Sequence, residues 1–501
     1  MATLSTIAAF IPIVAVAVLL LVFRVSSHLA SVAVWALTVA LCALPTAFHM
    51  SFVEGVEATL YALVSALPIV IVLSFGALLY QVLSCTGAID ALAQRLASAF
   101  RDEVVSALFI SAALGTGFEW ASGFGLGIVM VAPLYRLLGR REAQVVKLSL
   151  LTQFWIPWGA YGASSLATAE LTGIPLHVLA TKSALVGWPL TYLYLGLISL
   201  ISGGWRGLRA HWHLVAVSAT VMGFVTWAAS QWLEPSTAGG FAAAAVGALL
   251  WWYARGRRPG HGESTEERVP ALRLWRVMSP YALVVGYLAA ANGVPAFHNR
   301  LDEWGTWSLQ RAGAHVSFLV SPGVALLLAC PLAVWLLSPN GKRAEVSRRA
   351  VSATHRQVWR TVLATIAFME TSAWMERSGM FHVIALDFTR PGVIAVLIAS
   401  PIVAALGGFV AGTSTASNAM LSPLQLQFAQ FTHLPVSIFA VAQNVASAQT
   451  AYIAPSRITF ATSFANELGA EGRYMRQLAP WSLIAVGWVA IVDILVWAVH
   501  G

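Results

Sequence analysis

Charged residues are scarce in this sequence. Asp, Glu, Lys and Arg make up 10% of the 501 residues, whereas 58% are hydrophobic and the mean hydropathy is +0.75. Soluble domains carry roughly 25% charged residues, which keep their surfaces hydrated. The shortage of charge therefore excludes an ordinary soluble domain and predicts a polytopic membrane protein.

Cysteines are also few, and they show no arrangement typical of a metal site or a disulfide framework. Cys42, Cys85 and Cys330 lie far apart in apolar surroundings. The sequence lacks the histidine spacing of zinc enzymes, a nucleophile elbow and a pair of catalytic carboxylates. We expect no metal or other cofactor, and an intramembrane enzyme is the alternative that the sequence favours least.

Positive charge is present in excess, with a net charge of +8, but it is confined to short segments between apolar runs. This placement indicates membrane orientation rather than nucleic-acid binding, because Lys and Arg are enriched in cytoplasmic loops. The basic clusters predicted to be cytoplasmic are residues 136–147, 206–209, 255–276 and 342–360. The turns near 162–176, 234–238 and 298–315 are then predicted to lie outside.

Long apolar runs account for most of the chain, and most are long enough to cross a hydrocarbon core of ~30 Å. The first run has no Lys or Arg before it and no small-residue cleavage site, so we expect an uncleaved span. The runs lie near residues 5–23, 29–48, 58–84, 176–200, 211–233, 238–254, 277–296, 316–338 and 479–499. Together they predict one helical membrane domain.

The two halves of the chain resemble each other at a constant spacing of 290 to 292 residues. Chance alignment of apolar segments is the alternative to a true repeat. The matching landmarks are Thr86-Gly87 with Ser378-Gly379, Phe118 with Phe409, Pro133 with Pro423, and Gln153 with Gln443.

Topology gives the repeat a second test. Residues 104–134 are predicted to start and end inside, and each limb of ~15 residues gives about 22 Å of helix, too short to span. Residues 391–423 are predicted to start and end outside. The fold class is therefore predicted to be an all-α polytopic membrane protein with about 12 transmembrane helices and two re-entrant hairpins in an inverted repeat.

The predicted organisation follows these boundaries. The segments are N-terminal transmembrane helices (1–57), a first inverted repeat (58–200) with hairpin 104–134, connecting helices and cytoplasmic loops (201–358), a second inverted repeat (359–476) with hairpin 391–423, and a C-terminal transmembrane helix (477–501).

Both hairpin tips are rich in glycine and small hydroxyl residues. Non-helical backbone at membrane depth survives only where it lines a cavity or is packed in protein. A half-helix that begins there presents unpaired N–H groups and a partial positive charge, which suits an anion. Close packing of helices by small residues is the alternative. The predicted substrate-binding residues of the tips are Ser122, Gly123, Gly125, Thr413, Ser414, Thr415, Ser417 and Asn418.

Two carboxylates at membrane depth are predicted to couple transport to protons. Glu119 lies in the first tip and Glu370 lies mid-span in residues 359–376. An ionisable side chain in the membrane is costly and indicates function by default. Glu119 could instead cap tip amides, and Glu370 could instead face Arg377 or a loop. Asp493 and Lys182 lie nearer span ends, where snorkelling to the interface is expected.

Arg457 follows Pro455, which interrupts an apolar segment. Its guanidinium could pair with a substrate carboxylate or could anchor the cytoplasmic end of the segment. Four further residues occupy matching places in the two repeats and are predicted to line the cavity: Gln153, Tyr161, Gln443 and Asn444.

At these residues the chain resembles the bacterial L-lactate permease family. The first tip matches the family pattern of a Glu, three small residues and Gly-Phe-Gly, and the second matches a Gly-Ser/Thr-rich segment that ends in Ser-Asn. The residues that carry the resemblance are Glu119, Ala121, Ser122, Gly123, Phe124, Gly125, Ser378, Gly379, Met380, Gly412, Thr413, Thr415, Ser417, Asn418, Leu424, Gln425, residues 453–456, Ala461, Thr462, Glu471 and Gly472.

The resemblance implies proton-coupled import of L-lactate, glycolate or a related small hydroxycarboxylate across a bacterial inner membrane. Several residues depart from the family pattern, and a bulkier, more cationic pocket could take a different organic acid. A sodium-coupled or exporting transporter and a homodimeric assembly stay open. The departures are Trp120, Leu126-Gly127, Trp155, Trp158, Tyr161 and Arg457.

Overall fold

Helices build nearly all of the part of the chain that the computed structural model describes, which is residues 2–23, 25–87, 100, 102–123, 125–255, 274–309, 314–339 and 341–500. The first helices are α1 (Ala2–Leu21), α2 (Ser27–Ala43) and α3 (Phe52–Cys85). The Ser51 side chain and the Glu54 carboxylate form a capping box at the start of α3, which satisfies backbone N–H groups on both sides.

The first predicted hairpin is helical on both sides of a break. Asp102 accepts hydrogen bonds from the N–H groups of Val104 and Val105 at 2.8 and 3.0 Å, and so starts the first limb. This limb comprises α4 (Glu103–Leu108), a π-helical segment (Phe109–Gly115) and α5 (Thr116–Ser122), and the second limb is α6 (Leu126–Leu137).

A buried, irregular segment follows the first hairpin. It consists of α7 (Glu142–Leu150), three short 3-10 turns (Leu151–Gln153, Ile156–Trp158 and Ala160–Gly162) and α8 (Ala163–Thr172). Next come α9 (Leu176–Trp232) and α10 (Pro235–Arg255). Gly204 interrupts α9 with φ 62°, so this long element contains both predicted spans in the region.

The remaining helices of the described chain are α11 (Leu274–Gly293), α12 (Pro295–Gly305), α13 (Pro322–Leu337), α14 (Arg343–Arg377), α15 (Met380–Thr389), α16 (Val393–Ala411), α17 (Ser414–Thr432), α18 (Val436–Ala451), α19 (Pro455–Phe464) and α20 (Glu471–His500). Two short antiparallel strands, β1 (Thr306–Leu309) and β2 (Ala314–Ser317), pair with Thr306 opposite Ser317. The sequence analysis predicted only a turn there.

Within the described residues, six helices are long and apolar enough to cross a membrane. They are Phe52–Cys85, Glu103–Ala121, Leu176–Trp232, Pro235–Arg255, Val393–Ala411 and Glu471–Val499, and several shorter apolar helices accompany them. The protein is therefore an all-α, multi-pass membrane protein, as the composition predicted. The count of about 12 spans and the re-entrant placement of the hairpins stay predictions.

Left-handed glycines break both predicted hairpins at their tips. Gly123 and Gly125 have φ 71° and 82°, and Gly412 has φ 68°. An L-residue is strained in this conformation. At Gly123 a side chain would also come within 2.7 Å of the Ala160 Cβ, so the first break packs closely on the 3-10 segment.

Candidate functional site

Glu119 lies on α5, and its carboxylate accepts three hydrogen bonds inside the protein. The N–H groups of Gly125 and Gly127 donate to it at 3.2 and 3.1 Å, and Gln153 Nε2 donates at 2.8 Å. The residue is only 3% exposed. The two glycines begin α6, so the carboxylate caps the end of the helix that favours negative charge. The capping alternative considered from the sequence is thus the observed arrangement.

Two glycines at the start of α6 make its close contacts possible. A side chain at Gly127 would come within 2.7 Å of Thr152 Oγ1 and 2.8 Å of the Gly115 carbonyl oxygen. A side chain at Gly125 would collide with Nη1 of Arg457. The start of α6 therefore packs against Arg457, Thr152 and Gly115 only because both positions lack a Cβ.

Arg457 connects the two helix breaks. Its Nε donates to the carbonyl oxygen of Gly412 at 2.9 Å, and its guanidinium lies directly against Gly125. Arg457 is 7% exposed, so the structure does not place it as a solvated anchor. It lies close enough to Glu119 to interact electrostatically. Among the described residues, however, no direct ion pair joins Arg457 to Glu119.

Local sequence explains why Arg457 points inward. Pro455 starts α19 and Ala454 precedes it in extended conformation, so the chain turns sharply at the proline. Arg457 then falls in the first turn of α19, beside the second break. Gly412 lies next to Ser456, because a side chain at Gly412 would come within 2.6 Å of Ser456 Oγ.

The second break starts α17 with a capped N terminus. Thr413 Oγ1 accepts a hydrogen bond from the Ala416 N–H at 3.1 Å. Ser414 follows, 1% exposed, and its hydroxyl has no hydrogen-bond partner within the described part of the chain. Thr415 is 9% exposed on the same turn. A buried hydroxyl without a partner at a helix N terminus is a candidate ligand donor.

Asn418 is the centre of a buried amide network. Its Nδ2 donates to the Ser164 carbonyl oxygen and to Asn444 Oδ1 at 3.0 and 3.1 Å. Its Oδ1 accepts from Gln443 Nε2 at 3.1 Å and from Ser447 at 2.8 Å. The predicted residues Ser417, Asn418, Gln443 and Asn444 therefore lie together, with Gln443 also donating to Ser417 Oγ at 3.1 Å.

The network joins the two predicted repeats. Asn444 Nδ2 donates to Ser165 and Ser183 hydroxyls at 3.0 and 3.1 Å, which places α18 against α8 and α9. Gln425 Nε2 donates to Gln443 Oε1 at 3.0 Å, and Ser400 donates to Gln425 Oε1 at 2.7 Å. The sequence analysis missed the serines because a serine in an apolar helix is most often a packing residue.

Tyr161 lies in strained backbone beside the first tip. Ala160 and Tyr161 have φ 48° and 54°. Residues with a Cβ rarely adopt this conformation, and the residues that do adopt it are concentrated at functional sites. The Tyr161 ring lies 4.8 Å from the Trp120 ring, and Trp120 Nε1 donates to the Ser236 carbonyl oxygen at 2.8 Å. The Tyr161 hydroxyl is buried without a hydrogen-bond partner among the described residues.

Other predicted residues are placed apart from the tips or lie outside the described residues. Glu370 is 4% exposed and contacts Thr59 and Trp374. Arg377 pairs instead with Glu57. Phe124 and the side chain of Ser122 lie outside the described part of the chain.

Lys182 and Asp493, the two charged residues near span ends, differ in exposure. Lys182 reaches Ser437 Oγ at 2.8 Å in an exposed position. Asp493 does not snorkel to the interface: it is 3% exposed, because its turn of α20 packs against the protein. Within the described residues, no group of three or more His, Cys, Asp or Glu side chains could hold a metal ion.

Comparison with known proteins places the chain among permeases. The sequence profile of the L-lactate permease family matches residues 5–312 and 306–500. The chain belongs to the L-lactate permease family. It is 26% identical to the L-lactate permease of Bacillus subtilis over 98% of this chain and 96% of that protein. It is 22% identical to the glycolate permease GlcA of Escherichia coli over 98% of this chain and 95% of that protein.

One solved structure is similar to this chain at low sequence identity. The YdaH transporter of Alcanivorax borkumensis aligns with a TM-score of 0.47 and 15% identity, and the alignment covers 89% of this chain and 87% of that one.

Proposed function

We propose that this protein is a secondary transporter of a small hydroxycarboxylate such as L-lactate or glycolate. Membership of the L-lactate permease family and full-length similarity to lactate and glycolate permeases support this substrate class. A bacterial inner membrane is proposed as its location, and its multi-pass helices support a location in a membrane. A homodimeric assembly is compatible with the proposal but has no support of its own.

The observation that carries the proposal is the position of Arg457 between the two helix breaks. A buried guanidinium is costly unless it is paired, and its fork of donors matches a carboxylate. Nε is used on the Gly412 carbonyl oxygen, and no described residue accepts a hydrogen bond from the Nη groups. The substrate carboxylate is proposed to pair with these Nη groups, near the N termini of α6 and α17.

The remaining predicted residues are assigned two roles. Ser414 and Tyr161 offer hydroxyl donors that have no partner among the described residues. The amide network of Asn418, Gln443 and Asn444 braces α17 against the first repeat. In the proposal, Ser414 and Tyr161 bind the substrate directly, and the network holds the second tip in position.

Transport is proposed to follow alternating access, with residues 58–200 and 359–476 as inverted repeats and hairpins 104–134 and 391–423 entering from opposite faces. Coupling is proposed to be proton symport, with Glu119 as the proton carrier and Glu370 as a second candidate. Glu119 is preferred because its carboxylate lies at the break where the substrate would bind, whereas Glu370 contacts Thr59 and Trp374. Sodium coupling and export are the competing forms.

Uptake by proteoliposomes tests the substrate and the role of Arg457 together. Wild-type protein should accumulate L-lactate or glycolate under an imposed pH gradient and not under a sodium gradient. Arg457→Gln should lose about 10- to 100-fold in uptake, because charge-assisted hydrogen bonds contribute roughly 1.5–3 kcal/mol. Arg457→Lys keeps the positive charge but not the forked pair of donors, and should retain part of the wild-type uptake.

Arg356→Gln is the matched control, since Arg356 is exposed on α14. It should transport as the wild type does. If the wild type takes up no monocarboxylate under either gradient, the proposed function is wrong. If Arg457→Gln transports normally, Arg457 is not the substrate ligand.

A further inference from the structure

The carboxylate of Glu119 occupies the place that suits a substrate anion. It accepts the N–H groups of Gly125 and Gly127 at the start of α6, which has 12 residues, and the amide of Gln153. These are the donors that an external carboxylate would use at this helix end. The bound anion in this structure is therefore one of the protein's own side chains.

Arg457 supplies an independent sign that a second anion belongs at this point. Arg457 is 7% exposed as a residue, and its guanidinium lies against Gly125. No described residue accepts from its Nη groups, and no described carboxylate forms a direct ion pair with it. The positive charge is near Glu119 and available to a second carboxylate.

We propose that Glu119 is a tethered competitor of the substrate, a role that rests on the proposed transport of a carboxylate. The incoming carboxylate displaces Glu119 from the Gly125 and Gly127 N–H groups and pairs with Arg457. The displaced Glu119 carboxylate takes one proton from a hydronium ion of the solution on that side, leaving water, and becomes a neutral acid. Release of substrate on the other side returns the carboxylate to the helix end and frees that proton.

Charge balance predicts the ratio of protons to substrate anions. With Glu119 ionised and Arg457 charged, their charges cancel. A bound substrate carboxylate would leave one negative charge unbalanced in a site that excludes water, which is strongly unfavourable. Protonation of Glu119 restores the balance, so one proton accompanies each monocarboxylate.

Few other titratable groups face Glu119. Arg457 approaches from α19, and the packed 3-10 segment, α3 and α6 carry the titratable residues Tyr161, Tyr80 and Tyr135. The part of α10 before Tyr253 and the π-helical segment contain no titratable side chain. Among these groups, only Glu119 is a carboxylate.

Binding of L-lactate and glycolate to purified full-length protein, measured by calorimetry between about pH 6 and 9, tests the exchange, since both ligands stay ionised there. In the wild type, Kd should rise about tenfold per pH unit, because each carboxylate binds with one proton. In Glu119→Gln, Kd should not depend on pH and should be lower than the wild-type value at pH 9. Glu119→Asp, which reaches the helix end less well, should keep the slope and bind more tightly.

Glu376→Gln is the matched control, because Glu376 accepts from Gln427 Nε2 at 2.7 Å away from both tips. It should keep the wild-type slope. Infrared difference spectra should show a protonated carboxyl band on addition of L-lactate to the wild type and to Glu119→Asp, but not to Glu119→Gln.

Three results overturn the competitor role while leaving the proposed function in place. The first is a Kd of Glu119→Gln that depends on pH as the wild-type Kd does. The second is complete loss of binding in a Glu119→Gln protein that is monodisperse. The third is a Kd that does not depend on pH in a wild-type protein that binds lactate. Failure of the wild type to bind or take up any monocarboxylate overturns the proposed function itself.

Discussion

At the scale of single residues, several buried charged side chains lie at helix breaks or in a turn between helices. Arg457 lies between two helix breaks, Glu119 caps α6, and Glu234 is 8% exposed in the turn between α9 and α10. Each buried charge is costly to desolvate, so each needs hydrogen bonds or a protonation change. Glu234 illustrates the second solution outside the membrane-spanning helices.

Burial raises the pKa of Glu234 to about 7, although the Ser236 hydroxyl donates to its carboxylate at 2.9 Å and acts in the opposite direction. The folded protein therefore holds this proton more tightly than the unfolded chain does. The resulting penalty is absent below the unfolded pKa near 4.5 and fully present above the folded value.

Glu234→Gln should accordingly stabilise the protein at pH 8 by on the order of 1–3 kcal/mol and have little effect at pH 4.5. The measurement is the thermal unfolding temperature of both proteins in detergent across this pH range. Equal stability of the two proteins at every pH would contradict the assignment of a buried, weakly stabilised carboxylate.

At the scale of elements, the helix breaks are what bring polar groups to the middle of apolar helices. Gly125 allows Glu119 and Arg457 to approach the start of α6, and Gly412 turns its carbonyl oxygen to Arg457. A continuous helix would have used these backbone groups internally. The breaks therefore create the candidate site, while the flanking helices hold it in place.

Gly125→Ala should abolish transport, because the new methyl group would displace the Arg457 guanidinium in addition to straining a residue with φ 82°. The matched control is Gly139→Ala, where φ is 69° and nothing lies within 4 Å of the new methyl group. Each change should cost roughly 1–2 kcal/mol in backbone strain. Uptake and thermal stability, measured together, separate strain from the loss of the site: uptake should fall only in Gly125→Ala.

At the scale of the whole molecule, contacts between distant parts of the sequence hold the two predicted repeats together. Asn418 reaches the Ser164 carbonyl oxygen, Asn444 reaches Ser165, and Ser422 donates to Thr168 at 3.3 Å. These bonds join the second hairpin and α18 to α8. Buried polar networks of this kind are stabilising only when their members are satisfied together.

The inverted arrangement predicts that the bases of the hairpins face opposite sides of the membrane. In a background with Cys42, Cys85 and Cys330 replaced by serine, Gly139→Cys should react with an impermeant maleimide only from the cytoplasmic side. Gly392→Cys should react only from the outside. Labelling of right-side-out and inverted vesicles measures both, and reaction of the two cysteines from the same side would refute opposed hairpins.

The sequence by itself determined the class of the protein and the positions of its helix breaks. Composition predicts burial in a bilayer, and the glycine-rich segments predict breaks near Gly123 and Gly412, because glycine adopts the positive φ at which helices end. Family membership also followed from local motifs around Glu119 and Asn418. These properties depend on residues near each other in the chain, which is why they could be predicted.

Only the tertiary structure decided what each polar group contacts. From the sequence, Arg457 could be a substrate ligand or a cytoplasmic anchor, and Glu119 could be a proton carrier or a cap of backbone amides. Asp493 was expected to snorkel to the interface. The structure buries Arg457 against Gly125 and Gly412, puts the Glu119 carboxylate on α6, and buries Asp493. The direction of a long side chain depends on helices hundreds of residues away, whose packing no local pattern encodes.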